Sequence, residues 1–510
     1  MTKKRSMASQ EAIPLCALVI YLISLFYYQF PAIEVHAKII SGLLSALTPI
    51  SIIAGAIFLF RCMEHSGALA QIKVWLNGVS THSIAQLMIV GWAFSFLIEG
   101  ISGFGTPAAI AAPILFSLGF PAVKVAVFCL ILNTVPVTFG AVGAPIWFGM
   151  SVINISENDL AGIAKSAALI NAAIAPFIVI LGLLFVVEKA SIVFRNLLFI
   201  MLSIFACTLP FVIASHFSIE FPTVIGGTVG IVITILLAKY SIGIDSKDAE
   251  EDDSITKIGG LALLKASFPL WGTVVLLFVS RIEEFGLQQL LRLSQPALQF
   301  DIPLLGELSI SVSLVFTLSN ILGTQESWNH SLLYIPSILP FVVIGFMTLI
   351  WFNSASSGLA LEDTKTKMKY PFISLLAAMA FVNLMMMGEE KSAVQTIGLA
   401  LSSFSQEYWT FFAPFLGALG SFFSGSATIS NLTFAGIQLS IAKQLSLDSQ
   451  AILALQAVGA TMGNMVCINN IVAVSSVLGL HNRDGEILKR SFLILLVYGV
   501  MAGLFGILVL

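Results

Sequence analysis

Apolar residues in this chain come in long runs. Stretches of spanning length occupy Ala12 to Phe30, Ile39 to Phe60, Ile163 to Val187, Leu197 to Ala214, Leu332 to Phe352, Tyr370 to Met387, Ala451 to Leu480 and Ser491 to Leu510. Three shorter runs, Val224 to Ala238, Phe268 to Ser280 and Leu308 to Leu322, fall below the ~20 residues a membrane-crossing helix needs, but their flanks can extend them. The pattern predicts an all-α polytopic membrane protein with about 12–14 transmembrane helices.

Two regions break this pattern. From Ser83 the chain is apolar to Phe96, breaks at Glu99-Gly100-Ile101-Ser102-Gly103-Phe104-Gly105-Thr106-Pro107, resumes to Phe120, and breaks again at Pro121, at Asn133 to Pro136 and at Gly140 to Pro145. From Trp409 it runs apolar to Phe423, breaks at Ser424-Gly425-Ser426-Ala427-Thr428-Ile429-Ser430-Asn431, resumes to Ile441, and later carries Gly459 to Asn464 and Asn469-Asn470. A bilayer tolerates non-helical backbone only where protein covers it or where it lines a wet cavity. Interrupted segments at corresponding places in two halves point to a carrier's binding site near the midplane. We therefore expect two pseudo-symmetric repeats, 1–244 and 259–510, each with a broken or re-entrant segment, joined by an acidic linker over 245–258.

Composition agrees with the hydropathy. Of 510 residues 58% are hydrophobic and 10% charged, against about a quarter charged in soluble domains, and the mean hydropathy is +0.99. A net charge of -3 without a long basic run gives no footing for nucleic acid. The five cysteines (Cys16, Cys62, Cys129, Cys207, Cys467) show no CxxC or metal spacing and read as small buried hydrophobes. Lys3, Lys4 and Arg5 precede the first apolar run and put the N-terminus in the cytoplasm, as do Arg61 and Lys73 after the second span. That first run is long enough to span and lacks a cleavage pattern, so a retained helix is expected.

The breaks hold the candidate chemistry. Glu99 is a carboxyl beside a helix break, where placing a charge at the bilayer centre costs about 2.5–3.5 kcal/mol on insertion scales. It is either an ion-coupling or gating group or a cap for the broken helix ends. Ser102, Gly103, Gly105 and Thr106, and likewise Ser424, Gly425, Ser426, Thr428 and Asn431, cluster hydroxyls, amides and exposed backbone N–H groups. Helix N-termini carry about half a positive charge and suit a small carboxylate. Asn133, Asn464 and Asn470 are amides on apolar helices that could line the substrate path or glue helices together, as could Asn469. Gly459 and Gly463 read as close helix packing, and Glu326 with His330 as an interfacial segment that could relay protons. There is no Walker A lysine, HExxH or nucleophile elbow, so no enzyme and no cofactor is expected.

The segments Phe96 to Pro107, Leu118-Gly119-Phe120, Asn133 to Ile146, Gly417 to Gln438 and Gly459 to Leu480 resemble the bacterial L-lactate permease family. The resemblance is concentrated in Leu87 to Ile146 and Phe411 to Leu480. It implies a secondary transporter of the bacterial inner membrane that moves lactate, glycolate and related 2-hydroxy-monocarboxylates with protons. Two positions depart from the family's pattern. Where its second loop reads Gly-Ser-Asp-Thr, this chain has Gly425-Ser426-Ala427-Thr428. Where its later helix reads Gly-Lys-Met and then Ser-Pro-Gln, this chain has Gly463-Asn464-Met465 and then Cys467-Ile468-Asn469-Asn470. The missing Asp and Lys carry opposite charges, so losing both keeps the interior neutral and leaves Glu99 as the coupling candidate. The expected partners are a small carboxylate, a co-transported proton and the lipid bilayer. A different organic anion, sodium coupling, or a channel or membrane sensor are the alternatives.

Overall fold

In a computed structural model the chain is mostly helical; residues 9–103, 106–245, 259–281, 285–335, 338–388, 391–405, 408–480 and 483–509 are described. Among them, seven helices are long and apolar enough to cross a membrane, or ten if each of three bent pairs is one span. Three further apolar helices, Glu11–Phe26, Ile338–Trp351 and Trp409–Phe422, are shorter. The basic residues Lys3, Lys4 and Arg5 lie outside the described residues, as does the acidic linker beyond Asp245.

The chain divides into two compact units. One comprises Met1–Ala68 and Ser267–Ile397, the other Leu69–Ala266 and Gly398–Leu510. Each unit thus draws on both sequence halves.

The first unit contains the helices Ser9–Phe26, Ala32–Ser45, Leu47–His65 and Ser357–Met386, and a four-stranded antiparallel meander: β1 (Ala297–Ile302), β2 (Gly306–Ser311), β3 (Val315–Ser319) and β4 (Trp328–Ser331). The run Leu308 to Leu322, expected as an extendable span, is this meander's β2–β3 hairpin. The physical reason is visible in the residues. Leu308, Ile310 and Val312 alternate with Ser309, Ser311 and Ser313, the period of a strand and not of a helix, although at the hairpin turn Ser311 and Ser313 are buried and Val312 is exposed. Leu318, Ile321 and Trp328 form a small core with Ala37. Glu326 is tied to Lys38 at 2.7 Å, and His330 Nδ1 lies 3.0 Å from Thr48 Oγ1.

The second unit holds both interrupted regions. Within its Ser83–Ser102 and Ser449–Ser475 spans, an apolar 18-residue window is 94% and 100% buried respectively, so these stretches pack against protein. Small residues permit the close approach this requires. A Cβ on Gly100 would fall 2.8 Å from Val224 N, and one on Gly459 or Gly463 would overlap the backbone of Pro414 or Ala418. Trp92, Phe96, Phe139 and Phe211 fill the space behind the first break edge to face, with centroids 5.2–5.6 Å apart. Cys62, Cys129, Cys207 and Cys467 are buried in their units, and Cys16 is exposed.

Burial of His330 lowers its pKa from an ordinary value of 6.5. The folded form therefore holds a neutral imidazole, and the unfolded chain takes up the extra proton as pH falls. The stabilisation is complete above the ordinary value and is lost on acidification below it. In thermal melts from about pH 7 to about pH 5, His330→Asn is expected to lose less stability than the unsubstituted protein; equal losses would contradict this.

Candidate functional site

The first break follows from the glycine at its centre. A π-helical stretch, Leu87–Phe94, leads into the helix Ser95–Ser102, and such stretches are frequent at functional sites. The helix stops at Gly103, with φ 62° and ψ -159°, a region essentially restricted to glycine. Its N–H still reaches Glu99 O at 3.0 Å, and Ser102 Oγ donates to Ile98 O at 2.9 Å. Gly105 lies outside the described residues, and Thr106 is placed only as the first residue of the next helix, Thr106–Ser117.

Glu99 is 1% exposed. Its Oε2 accepts a hydrogen bond from Asn133 Nδ2 at 3.0 Å, and no ion pair to it exists among the described residues. Asn133 Oδ1 is buried without a partner. Asn133 sits where the helix Ala122–Leu132 ends and a 3-10 turn, Val135–Phe139, begins. The chain then makes a left-handed turn at Ala141 (φ 44°, ψ 53°), Val142 (φ 58°, ψ 48°) and Gly143 (φ 75°, ψ 5°). Left-handed backbone costs L-residues about 1–2 kcal/mol each, and a β-branched valine there is an outlier. The surroundings hold it: Trp147 Nε1 donates to Val142 O at 2.9 Å, Ala141 packs on Gly103, and Gly143 abuts the Ile219 and Glu220 backbone.

The second break joins two helices with a two-residue hinge. Trp409–Ser424 ends at left-handed Gly425 (φ 74°, ψ 15°), the usual glycine C-cap. Ser426 then caps Ala427–Gln444, its Oγ accepting from Ile429 N at 3.3 Å. Ser424 Oγ donates to Gly420 O at 2.8 Å. The helix Ser449–Gly463 likewise gives way to a 3-10 turn, Asn464–Val466, where Asn470 Nδ2 donates to Asn464 Oδ1.

These four irregular segments meet at one cavity, whose enclosed space of about 20 Å³ has room for about one water molecule. Of the expected site residues, Glu99, Gly103, Gly425, Ser426, Thr428 and Asn464 line it. Ser102, Asn133, Ser424, Asn431 and Asn470 do not, and instead brace the wall by hydrogen bonding to Ile98, Glu99, Gly420, Pro145 and Asn464 respectively. Val137, Gly140, Ala141, Pro145 and Ala427 complete the lining among the described residues. Glu99 is the one ionisable lining residue among the described residues, and the first turn of Ala427–Gln444 presents its N-terminal end to the space, favouring an anion. Both departures from the family pattern, Ala427 and Asn464, fall on this wall.

A buried polar chain supports the wall; Asn431 was expected near the site, but its partners Gln456 and Gln438 were not. Asn431 Nδ2 donates to Pro145 O at 2.8 Å. Gln456 Nε2 donates to Asn431 Oδ1 at 3.3 Å and Ser430 Oγ at 3.2 Å. Gln438 Nε2 donates to Gln456 Oε1 at 2.9 Å, and Trp409 Nε1 to Gln438 Oε1 at 2.8 Å. Asn431 and Gln438 are seven residues apart on one helix face, a spacing that could have flagged them. A second chain runs from Tyr498 OH to Asn171 and on to Thr138.

A bundle of buried, broken spans around a small, nearly neutral cavity with one carboxyl defines a multi-pass membrane transporter of small solutes. The chain belongs to the L-lactate permease family, whose model matches residues 1–510. A Haemophilus influenzae relative bearing the provisional name L-lactate permease is 40% identical over 506 residues, covering 99% of this chain and 94% of that protein. The Escherichia coli L-lactate permease is 26% identical, covering 83% of this chain and 77% of its own. The Escherichia coli glycolate permease is 25% identical, covering 83% and 78%.

Gly140 has φ -62°, so alanine fits its backbone, but the added Cβ would overlap the Glu99 carboxyl. Gly140→Ala is expected to cut substrate uptake about tenfold or more while shifting the melting temperature by only a few degrees. Unchanged uptake would show that the position of Glu99 does not matter.

Proposed function

We propose that the protein is a secondary carrier that imports L-lactate, or a related small 2-hydroxy-monocarboxylate such as glycolate, across the bacterial cytoplasmic membrane with a proton. Two repeats each supply a broken segment to the central cavity, and the N-terminus faces the cytoplasm. Gly103, Gly425, Ser426, Thr428 and Asn464 contact the substrate, with Ser102, Gly105, Thr106, Asn133, Ser424, Asn431 and Asn470 shaping its path. Membership of the family and the names of the lactate and glycolate relatives support the substrate class.

The observation that carries the coupling is the isolated carboxyl on the cavity wall. A carboxylate that opens this small cavity on binding would lie beside Glu99 on its wall. At ~5 Å and an effective dielectric of ~20, two such charges repel by about 3 kcal/mol. Among the described residues, no lysine or arginine lines the cavity to offset this. A proton accompanying the anion removes the repulsion, so anion and proton bind together and cross together. A sodium ion could serve instead, and the unpartnered Asn133 Oδ1 beside Glu99 is the observation that favours it.

Vesicles with imposed gradients separate these. Labelled L-lactate is expected to accumulate under an inward proton gradient without sodium. Accumulation that needs sodium and ignores pH would replace the proton, and no uptake under either gradient would overturn the substrate. Glu99→Gln is expected to abolish accumulation while sparing lactate exchange; persistent accumulation would reduce Glu99 to a structural cap.

A further inference from the structure

The carbonyl of Pro145 is passed over by its own backbone. Gly149 N bonds to Ala144 O at 3.0 Å, and Met150 N to Ile146 O at 3.0 Å. The vacated acceptor is taken by the Asn431 amide at 2.8 Å, from a helix 286 residues further along the chain. Pro145 itself lines the cavity and lies two residues beyond the left-handed turn at Ala141–Gly143. Asn431 follows Thr428, another lining residue, by three positions on the same helix, and so shares its face. Behind Asn431 stands Gln456, on the helix that ends at Asn464, a third part of the lining. Asn431, Gln438 and Gln456 are all 0% exposed.

We infer that Asn431, backed by Gln456 and Gln438, is a positioning residue that locks the left-handed turn of the first break to the helix that opens at the second. Neither wall can then move without the other. This rests on the transport reading above in one respect: the cavity is where substrate is held. The amide is suited to the task because it donates to the orphan carbonyl and accepts from Gln456 at once, which neither aspartate nor alanine can do. A protein that must release substrate on alternate sides needs its two breaks to change together, and this strut supplies a direct mechanical link between them.

Two readouts on the full-length protein test it, one of them independent of any substrate. In Asn431→Ala, amide hydrogen exchange across 140–149 is expected to speed up about tenfold, while exchange in the helix Ala122–Leu132 stays unchanged. In vesicles, the KM for labelled L-lactate is expected to rise about tenfold with little change in the maximal rate per folded molecule. Gln456→Ala, which leaves the Pro145 contact in place, is expected to move both readouts in the same direction by less. Unchanged exchange across 140–149 would overturn the proposal. So would faster exchange throughout the unit with KM unchanged, the signature of general loosening. If Asn431→Ala does not fold, Gln456→Ala decides by the same two measurements. Should the unsubstituted protein take up no lactate, the transport reading fails by itself, and the exchange measurement still decides the strut.

Discussion

The structure around the cavity depends on one constraint: backbone polar groups at membrane depth must find partners inside the protein, since hydrocarbon supplies none. Each interruption is met by a specific bond. Gly103 N–H turns back to Glu99 O at 3.0 Å and Gly425 N–H to Ser421 O at 2.8 Å. Thr223 Oγ1 reaches Pro136 O at 2.8 Å, and Asn431 reaches Pro145 O at 2.8 Å. Leaving one such carbonyl unpartnered would cost about 1–3 kcal/mol. Satisfying them concentrates amides, hydroxyls and helix ends in the middle of an apolar unit, and the same groups give the cavity its chemistry.

Much of this was legible in the residues because glycine marks it. Gly103 and Gly425 occupy backbone conformations that side chains rarely adopt, so both breaks stand out as Gly-Ser clusters in apolar sequence. Most of the long spans were legible from length, but Pro222–Lys239 fell in a run counted as too short and Ser83–Ser102 in an interrupted region. Other features were not. Leu308 to Leu322 counts as apolar in a window but alternates with serine, and the period, not the average, decides that it folds as strands. Ala141 and Val142 have no local reason to turn left-handed. Tertiary contacts with Gly103, Trp147 and the Ile219 backbone impose it, and no propensity scale carries that information. Gln438 and Gln456 were passed over because a lone glutamine in an apolar helix signals little until its partners on other helices are known.

The charge pattern gives the cavity its logic. Ala427 and Asn464, where the family resemblance leads one to expect an aspartate and a lysine, both line the same space. Removing opposite charges together preserves neutrality, so the fold needs no other compensation. On the proposed transport reading, an anion would meet a helix N-terminus and neutral donors, and Glu99 would carry the coupling. A carboxyl with one neutral amide partner at 3.0 Å and no counter-ion among the described residues is sensitive to any second negative charge that enters.

That sensitivity is the central claim, and the charge moved per substrate tests it most directly. In sealed proteoliposomes, one proton crossing with each lactate anion makes the cycle electrically neutral. The account predicts about one proton taken up per lactate, with uptake indifferent to an imposed membrane potential. A net current that follows lactate, or lactate uptake without a matching movement of protons, would contradict it.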